Sequence, residues 1–192
     1  MRILHINESL DPKRGGPPAV MVRLAAAQAA QGHDVTIVCY DTPGGADRVR
    51  AFLTGVPSME KVRVVTVRPE QGRLARARAS GALDALGTHV RGSDIVHLHE
   101  FWLPIVRAAG RVCVAAGVPY VLAPHSTLSA WSMSQKKWKK KLGMMLGYRA
   151  LLCEAAAMHA LKETERELVG SLKSRCPIDI LANGVFAEEF AD

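Results

Sequence analysis

Short runs of consecutive apolar residues recur along the chain, separated by longer segments whose apolar positions have helical spacing. The runs are rich in Val, Ile and Leu and do not alternate with polar residues. That pattern is typical of strands that are buried on both faces of a parallel sheet. The runs predict strands at residues 2–7, 34–40, 62–67, 95–99, 119–123, 158–161 and 178–181.

Besides the first helix, the intervening segments predict helices at about 74–90, 104–116 and 163–172. They also predict a long basic helix that ends at residue 155. The first helix is alanine-rich, follows Pro17 and Pro18 and ends at Ala30, where Gly32 suits its C-terminal cap. Its predicted apolar face consists of Val20, Met21, Leu24 and Ala27.

Strands that alternate with helices, joined by right-handed crossovers, give a doubly wound α/β fold of the Rossmann-like kind. Ligands of such folds bind at the carboxyl ends of the strands. Four places are therefore of interest: the turn after Asn7, the segment after His99, the loop after Ala123 and the helix start after Leu161.

Composition narrows the classes of protein that fit. The 192 residues are 48% hydrophobic and carry a net charge of +7, so the chain can bury a core and presents a basic surface to phosphate-bearing partners. No apolar run approaches the ~20 residues of a membrane span, and residues 1–10 lack the features of a secretion signal. The four cysteines are scattered, which favours reduced thiols and a cytoplasmic location.

The turn formed by Gly15, Gly16 and Pro17 lies between the first strand and the first helix. A glycine turn at a helix N-terminus can bind an anion, although the same turn also serves plain packing in α/β domains. The glycine fingerprint of nicotinamide-dependent dehydrogenases is absent, even though Asp41 is suitably placed for a ribose, and the phosphate-binding loop of ATPases is absent too.

Three histidines lie at or near the carboxyl ends of two predicted strands. His97 and His99 share one side of a strand and precede Glu100, an arrangement compatible with a metal site but also with hydrogen-bonded histidines at a strand end. His125 follows Pro124, where it is placed to bond a substrate hydroxyl or a phosphate, to transfer a proton, or merely to cap the backbone.

A basic segment with two tryptophans follows this loop. Trp131, Trp138 and the lysines between 136 and 141 suit a nucleic-acid surface or an anionic membrane, with core packing of the tryptophans as the favoured alternative. No nucleic-acid-binding module is recognisable, so we expect no nucleic-acid partner.

Taken in order, several segments resemble the N-terminal domain of retaining glycosyltransferases with the GT-B fold, a family that includes many transferases of bacterial envelope and capsule synthesis. The resemblance covers nearly the whole chain and rests on the ordered set. The matching segments are RILHI at 2–6, GGP at 15–17, QGHDV at 31–35, DIVHLH at 94–99, APHSTL at 123–128, Trp131 with the lysine-rich helix, Glu165 and ILANGV at 180–185.

The resemblance implies roles for particular residues. Gly15 and Gly16 would approach the donor diphosphate, and the catalytic residue His125 would contact the transferred sugar or help to organise the reacting centre. No metal or other cofactor is expected, because backbone amides and basic side chains stabilise the leaving diphosphate in this family. The acceptor, a hydroxyl of a glycan or of a lipid-linked sugar, would be bound by His99, Glu100, Trp102, Ser126, Lys136 and Lys137.

The chain departs from the family pattern in two ways. Leu161 and Lys162 stand where many relatives have Thr or Ser, so no role is carried over to Glu165. The sequence also stops at Asp192, so we expect one domain at 1–182, the start of a linker at 183–192, and no donor domain. A transferase would then need that domain in cis or in trans. Contact of the basic helix with an anionic membrane surface is a further partner that the sequence leaves open. The alternative is a non-catalytic module that binds a glycan, lipid or nucleotide.

Overall fold

Seven parallel strands form one sheet in the computed structural model, which describes residues 1–172, 174 and 176–187. The boundaries agree with the sequence-based strands to within one residue at each end. The strands are β1 (Arg2–Ile6), β2 (Asp34–Tyr40), β3 (Arg63–Val67), β4 (Ile95–His99), β5 (Tyr120–Ala123), β6 (Ala157–Ala160) and β7 (Ile178–Ile180).

The strand order is β3-β2-β1-β4-β5-β6-β7, and every neighbouring pair is parallel. The order reverses between β1 and β4, which makes the gap between their carboxyl ends the expected ligand crevice. The predicted doubly wound, Rossmann-like architecture is confirmed.

The helices depart from the sequence-based prediction at four places. The predicted helix at 74–90 is interrupted at Ala79, whose φ is +53°, and the long basic helix is broken at Lys136 and Gly147, whose φ angles are +49° and +111°. The helix that begins at Ala46 was not predicted. The helices are α1 (Gly16–Ala30), α2 (Ala46–Thr54), α3 (Arg73–Arg78), α4 (Leu83–Arg91), α5 (Pro104–Ala116), α6 (Ala130–Ser134), α7 (Lys137–Gly143), α8 (Arg149–Cys153) and α9 (Glu163–Ser171).

Two separate cores flank the sheet. Helices α4, α5, α8 and α9 contribute to one core, together with Leu4, Ile6 and Leu98 of the central strands. Helices α1 and α2 pack on the opposite face, against Ile3, Val35 and Ile37 of the first two strands. On that face the two helices cover β1, β2 and β3, and a cavity of about 540 Å³ lies beside them over β4, β5 and β6.

The buried face of α1 differs from the predicted one. Met21 is fully buried as predicted, but its buried neighbours are Val22, Ala25, Ala26 and Ala29. The other predicted members are only partly buried, because α1 lies at the border of the cavity and they line it: Val20, Leu24 and Ala27. No helix in the described residues has both the length and the apolar character needed to cross a membrane.

Candidate functional site

The four predicted places lie together at one edge of the sheet, because β1, β4, β5 and β6 are successive neighbours in it. Asn7 follows β1, His99 ends β4, His125 follows β5, and Glu165 lies in the first turn of the helix after β6. All four side chains are buried. Such a concentration of buried polar groups at the crevice of a doubly wound sheet marks a candidate binding site.

The backbone at this edge is in an uncommon conformation. Glu100, His125 and Ser126 have φ angles of +66°, +49° and +61°, in the left-handed region that favours glycine. Strained positions of this kind persist where the surrounding structure holds them and cluster at binding sites. Here the Glu100 N–H donates to the carbonyl of Ala123 at 2.8 Å, which ties the two loops together.

Glu165 holds the other side of the histidine loop. One carboxylate oxygen accepts from the backbone N–H of Ser126 at 2.6 Å, and the other accepts from that of Leu161 at 2.8 Å. The side chain is only 4% exposed, so both bonds are shielded from water. Glu165 therefore fixes the loop after β5. Two features of the sequence pointed to this residue: its place among the segments of the family resemblance, and its position at the start of a predicted helix.

Five histidines form a row on the α1 side of the sheet. The register of β1 and β4 places His5 opposite His97, and the two-residue period of β4 adds His99 to the same side, as predicted. His125 and His159 extend the row, and every ring in it is buried. Neighbouring ring centroids lie 4.3 to 5.5 Å apart. His5 and His159 were not singled out from the sequence.

Three of these rings are joined by hydrogen bonds. His5 Nδ1 lies 2.9 Å from His99 Nε2, and His99 Nδ1 lies 3.0 Å from His125 Nε2. This series of hydrogen-bonded side chains ends at Gln28 of α1, whose Oε1 lies 2.7 Å from His5 Nε2. No pattern in the sequence indicated that this helix residue is linked to the candidate site.

Burial keeps these histidines uncharged. Desolvation lowers the pKa of both His5 and His125 from 6.5 to about 4. For His97 and His99 the same burial, with the charges of the neighbouring histidines added, lowers the pKa well below its ordinary value. His5, His97, His99 and His125 are therefore neutral near pH 7, and each of these rings has one N–H donor and one lone pair.

One triplet within the row has the spacing of metal ligands. One nitrogen from each of His5, His97 and His99 lies within 4.8 Å of the others, and His97 Nε2 is buried without a partner in the described residues. Glu100, considered with His97 and His99 as a metal-binding group, is not part of this triplet. Because His5 Nδ1 and His99 Nε2 already bond each other, an ion would have to replace that hydrogen bond.

Glu100 lies at the mouth of the site, half-buried. Burial raises the pKa of its carboxyl, and the Asn7 amide and the positive charge of Arg14 partly offset that effect. Asn7 Nδ2 is buried and makes no well-aligned hydrogen bond within the described chain. A carboxylate and an amide with spare capacity at the same place form a polar pair suited to ligand hydroxyls.

The glycine turn begins at the same edge. Asp11 holds it by accepting from the guanidinium of Arg48 at 2.8 and 2.5 Å and from the Lys13 N–H at 3.0 Å. Gly15 then adopts φ +103°, and Gly16 begins α1 with open space where a Cβ would stand. Since the next two residues are prolines, Gly16 supplies the only N–H of the first three helical residues.

The remaining predicted acceptor residues do not join the histidine row. Trp102 supports the loop after β5, because its indole N–H donates to the carbonyl of Thr127 at 3.1 Å. Lys136 directly precedes α7 and Lys137 begins it, and both residues are exposed. The favoured alternative for Trp131 and Trp138, core packing, is wrong: they are 75% and 68% exposed, on two short helices that bury none of their residues.

A doubly wound sheet with buried polar groups at its switch point defines an α/β domain with a candidate ligand site in its crevice. The model of the glycosyl transferase 4-like domain matches residues 15–184, and the chain belongs to that family. The resemblance to the N-terminal domain of GT-B glycosyltransferases is thereby confirmed. No curated protein sequence matches the chain.

Solved structures show the same fold. HepE from Anabaena, solved with UDP-glucose, superposes with a TM-score of 0.68 at 13% identity over 96% of this chain and 44% of its own. A UDP-N-acetylglucosamine 2-epimerase gives 0.61 at 13% identity, over 95% and 48%. MurG from Acinetobacter baumannii gives 0.56 at 12% identity, over 96% and 46%. The chain thus spans less than half the length of these structural neighbours.

Proposed function

We propose that this chain is the acceptor-side half of an enzyme that transfers a sugar, with retention of configuration, from a nucleotide-sugar to a hydroxyl in envelope polysaccharide synthesis. The observation that carries the proposal is the joined loop pair after β4 and β5. It presents Glu100 and His125 from strained backbone positions, beside a buried histidine chain. Membership of the glycosyl transferase 4-like family supports the reaction class.

His125 would contact the transferred sugar. The ring is neutral, is held by His99, and belongs to a loop that Glu165 anchors through Ser126. A ligand group placed against it would meet a fixed hydrogen-bonding atom, which is what positioning of a reacting centre requires. Ser126 itself is exposed beside it and would face the acceptor.

Gly15 and Gly16 would approach the donor diphosphate. The turn is pinned by the Asp11–Arg48 pair, and Gly16 leaves open space for a close approach. The positive end of α1 adds a favourable field for phosphate. The structural neighbour HepE, which was solved with UDP-glucose, supports a nucleotide-sugar as the donor class.

The acceptor would lie between Glu100 and the exposed basic segment. Glu100 offers hydrogen-bonding atoms at the crevice, and Trp102 supports the loop above it. His99 would act there through His125, because both of its ring nitrogens are already hydrogen-bonded. Lys136 and Lys137 would then contact an anionic part of the acceptor, such as the phosphates of a lipid carrier. No step of this proposal uses a metal, so a chelator is expected to leave the transfer rate unchanged.

A second domain would complete the enzyme. Residues 1–182 would form the acceptor domain and 183–192 the start of the linker, of which 188–192 lie outside the described residues. The segment from Leu181 to Phe186 borders the cavity beside α1, where Val20 and Leu24 are left partly exposed. An apolar border of this kind supports a partner domain, in cis or in trans, on that side of the sheet.

The test joins this chain to a glycosyl transferase donor domain, linked or mixed, and measures release of the nucleotide and transfer to hydroxyl acceptors. Transfer is expected only from the joined pair, and His125→Ala is expected to reduce it by about 10²-fold or more. Lys61→Ala, far from the crevice at the surface turn before β3, is the control and should transfer at the parent rate. Full activity of His125→Ala would refute the catalytic assignment, and binding of a glycan, lipid or nucleotide without transfer would favour the non-catalytic alternative.

The exposed segment with Trp131 and Trp138 supports a cytoplasmic enzyme that attaches to the inner face of the membrane. Met145 and Leu146 are also exposed there, 78% and 61%, beside the lysines of α7. Apolar side chains at headgroup level and lysines on phosphates are the usual components of interfacial binding. Sedimentation with phosphatidylglycerol vesicles at low salt tests this: Trp131→Ser with Trp138→Ser should weaken it, and failure of the parent to bind would refute it.

A further inference from the structure

The hydrogen-bonded series of side chains from Gln28 to His125 has a direction, namely the one in which its rings donate their N–H groups. It links four side chains through three contacts: His125 to His99 at 3.0 Å, His99 to His5 at 2.9 Å, and His5 to Gln28 at 2.7 Å. Each neutral imidazole has one N–H and one lone pair, so a ring that donates from one nitrogen accepts at the other. Burial keeps all three rings neutral.

Only two arrangements of protons make all three contacts. Either every ring donates towards Gln28, or every ring donates towards His125. Any mixed arrangement puts two lone pairs or two hydrogens against each other inside a buried contact, where no water can satisfy them, and is therefore disfavoured. The group at the end of the chain therefore selects the arrangement of the whole chain.

Gln28 is that group, and its carbonyl oxygen faces His5 Nε2. An acceptor at this end makes His5, His99 and His125 each carry their proton on Nε2. We propose that Gln28 sets the tautomer of His125 through His5 and His99, and so leaves His125 Nδ1 as a hydrogen-bond acceptor for a hydroxyl of the ligand. Gln28, His5 and His99 are then positioning residues that act through His125.

This inference decides among the roles that the sequence leaves open for His125. A neutral ring with a lone pair at Nδ1 accepts a hydrogen bond from a hydroxyl, but it has no proton there to give to a phosphate oxygen. Within the described residues, no protein group occupies His125 Nδ1. The identity of the ligand group rests on the proposed function, whereas the tautomer does not.

The tautomers are read directly by long-range proton–nitrogen correlation spectra of the ¹⁵N-labelled chain near pH 7, without any ligand. His5, His99 and His125 are all expected to show the pattern of an Nε2–H ring. An Nδ1–H pattern for any of the three, or a mixture of the two tautomers, would overturn the proposal. This first result needs no variant and so does not depend on the folding of one.

Two substitutions at the end of the chain then test the cause. Gln28→Glu keeps an acceptor and should leave His125 in the Nε2–H form. Gln28→Lys offers only donors and should convert all three rings to the Nδ1–H form. Gln31→Lys, the same change three residues later at the exposed end of α1, should leave the tautomers as in the parent. Folding of each variant is checked by its amide spectrum.

The activity of the joined enzyme separates this proposal from the proposed function. If Gln28→Lys converts the tautomer and lowers transfer by about tenfold or more, both stand. If the substitution converts the tautomer and transfer is unchanged, Gln28 does set the tautomer, but the proposed role of His125 as hydrogen-bond acceptor for a ligand hydroxyl is wrong. If His125 keeps its Nε2–H form in folded Gln28→Lys, Gln28 does not set the tautomer and the proposal fails.

Discussion

Acid is expected to destabilise the fold through its buried histidines. The pKa of His5 falls from 6.5 to about 4 on folding, so the unfolded chain binds more protons than the folded one between these two pH values. Stability that is fully present above about pH 6.5 is then lost as the pH falls towards 4. For a single histidine with this shift, lowering the pH from about 7 to about 5 costs about 2 kcal/mol.

Three more buried histidines add to this loss of stability at low pH. The pKa of His125 is lowered to the same value, and the pKa values of His97 and His99 are lowered in the same direction. Two histidines of this kind cost about 4 kcal/mol at about pH 5, a large part of the 5–15 kcal/mol that stabilises a typical domain.

Urea unfolding at about pH 7 and about pH 5, followed by circular dichroism, measures the loss. His5→Gln removes one titrating ring, so its loss of unfolding free energy between the two pH values should be about 2 kcal/mol smaller than that of the parent. The comparison is a difference within each variant, which makes it independent of how much the substitution itself destabilises the fold.

His89→Gln is the matched control, because His89 lies in the last turn of α4, away from the row. It should lose as much stability between the two pH values as the parent does. An equal acid loss in the parent and in His5→Gln would refute the reasoning, since burial of that ring would then not be the cause.

Two further pairs of substitutions test the packing and the loop anchor. Gly110→Ala should destabilise the chain by about 1–3 kcal/mol, because its Cβ would lie 2.5 Å from a methyl of the buried Leu151; Gly170→Ala, with nothing within 4 Å, should stabilise it by about 0.5–1 kcal/mol. Equal thermal-melt shifts for both would contradict this account. Glu165→Gln should cost about 1–3 kcal/mol and shift the Ser126 amide resonance, because one of the two backbone N–H groups bonded to this buried side chain loses its acceptor. The exposed Glu163→Gln should change stability by less than about 1 kcal/mol, and a similar cost for the two would show that Glu165 is not an anchor.

The strands and the functional edge could be read from the sequence. Consecutive apolar residues mark a strand buried on both faces, and this local signal gave every strand to within one residue. The rule for carboxyl ends then placed Asn7, His99, His125 and the start of the last helix at one edge, where the structure has them. The alternation of side chains along β4 also fixed the shared side of His97 and His99.

The helices were harder to predict because their breaks depend on tertiary packing. The break at Gly147 follows from packing of Arg107 and Tyr148 around it, which no local pattern shows. The buried face of α1 was misjudged for the same reason. Its apolar residues surround most of the helix, and only its position at the border of the cavity decides which of them the sheet covers.

The sequence by itself determined the class of fold, the family and the edge at which the site lies, because these follow from the order of short-range patterns. Only the tertiary structure decided how the site is held. Gln28, His5 and His99 are separated by 23 and 94 residues along the chain, and Glu165 reaches Ser126 across 39. Contacts at such separations leave no period or motif, because strand order and register bring the side chains together.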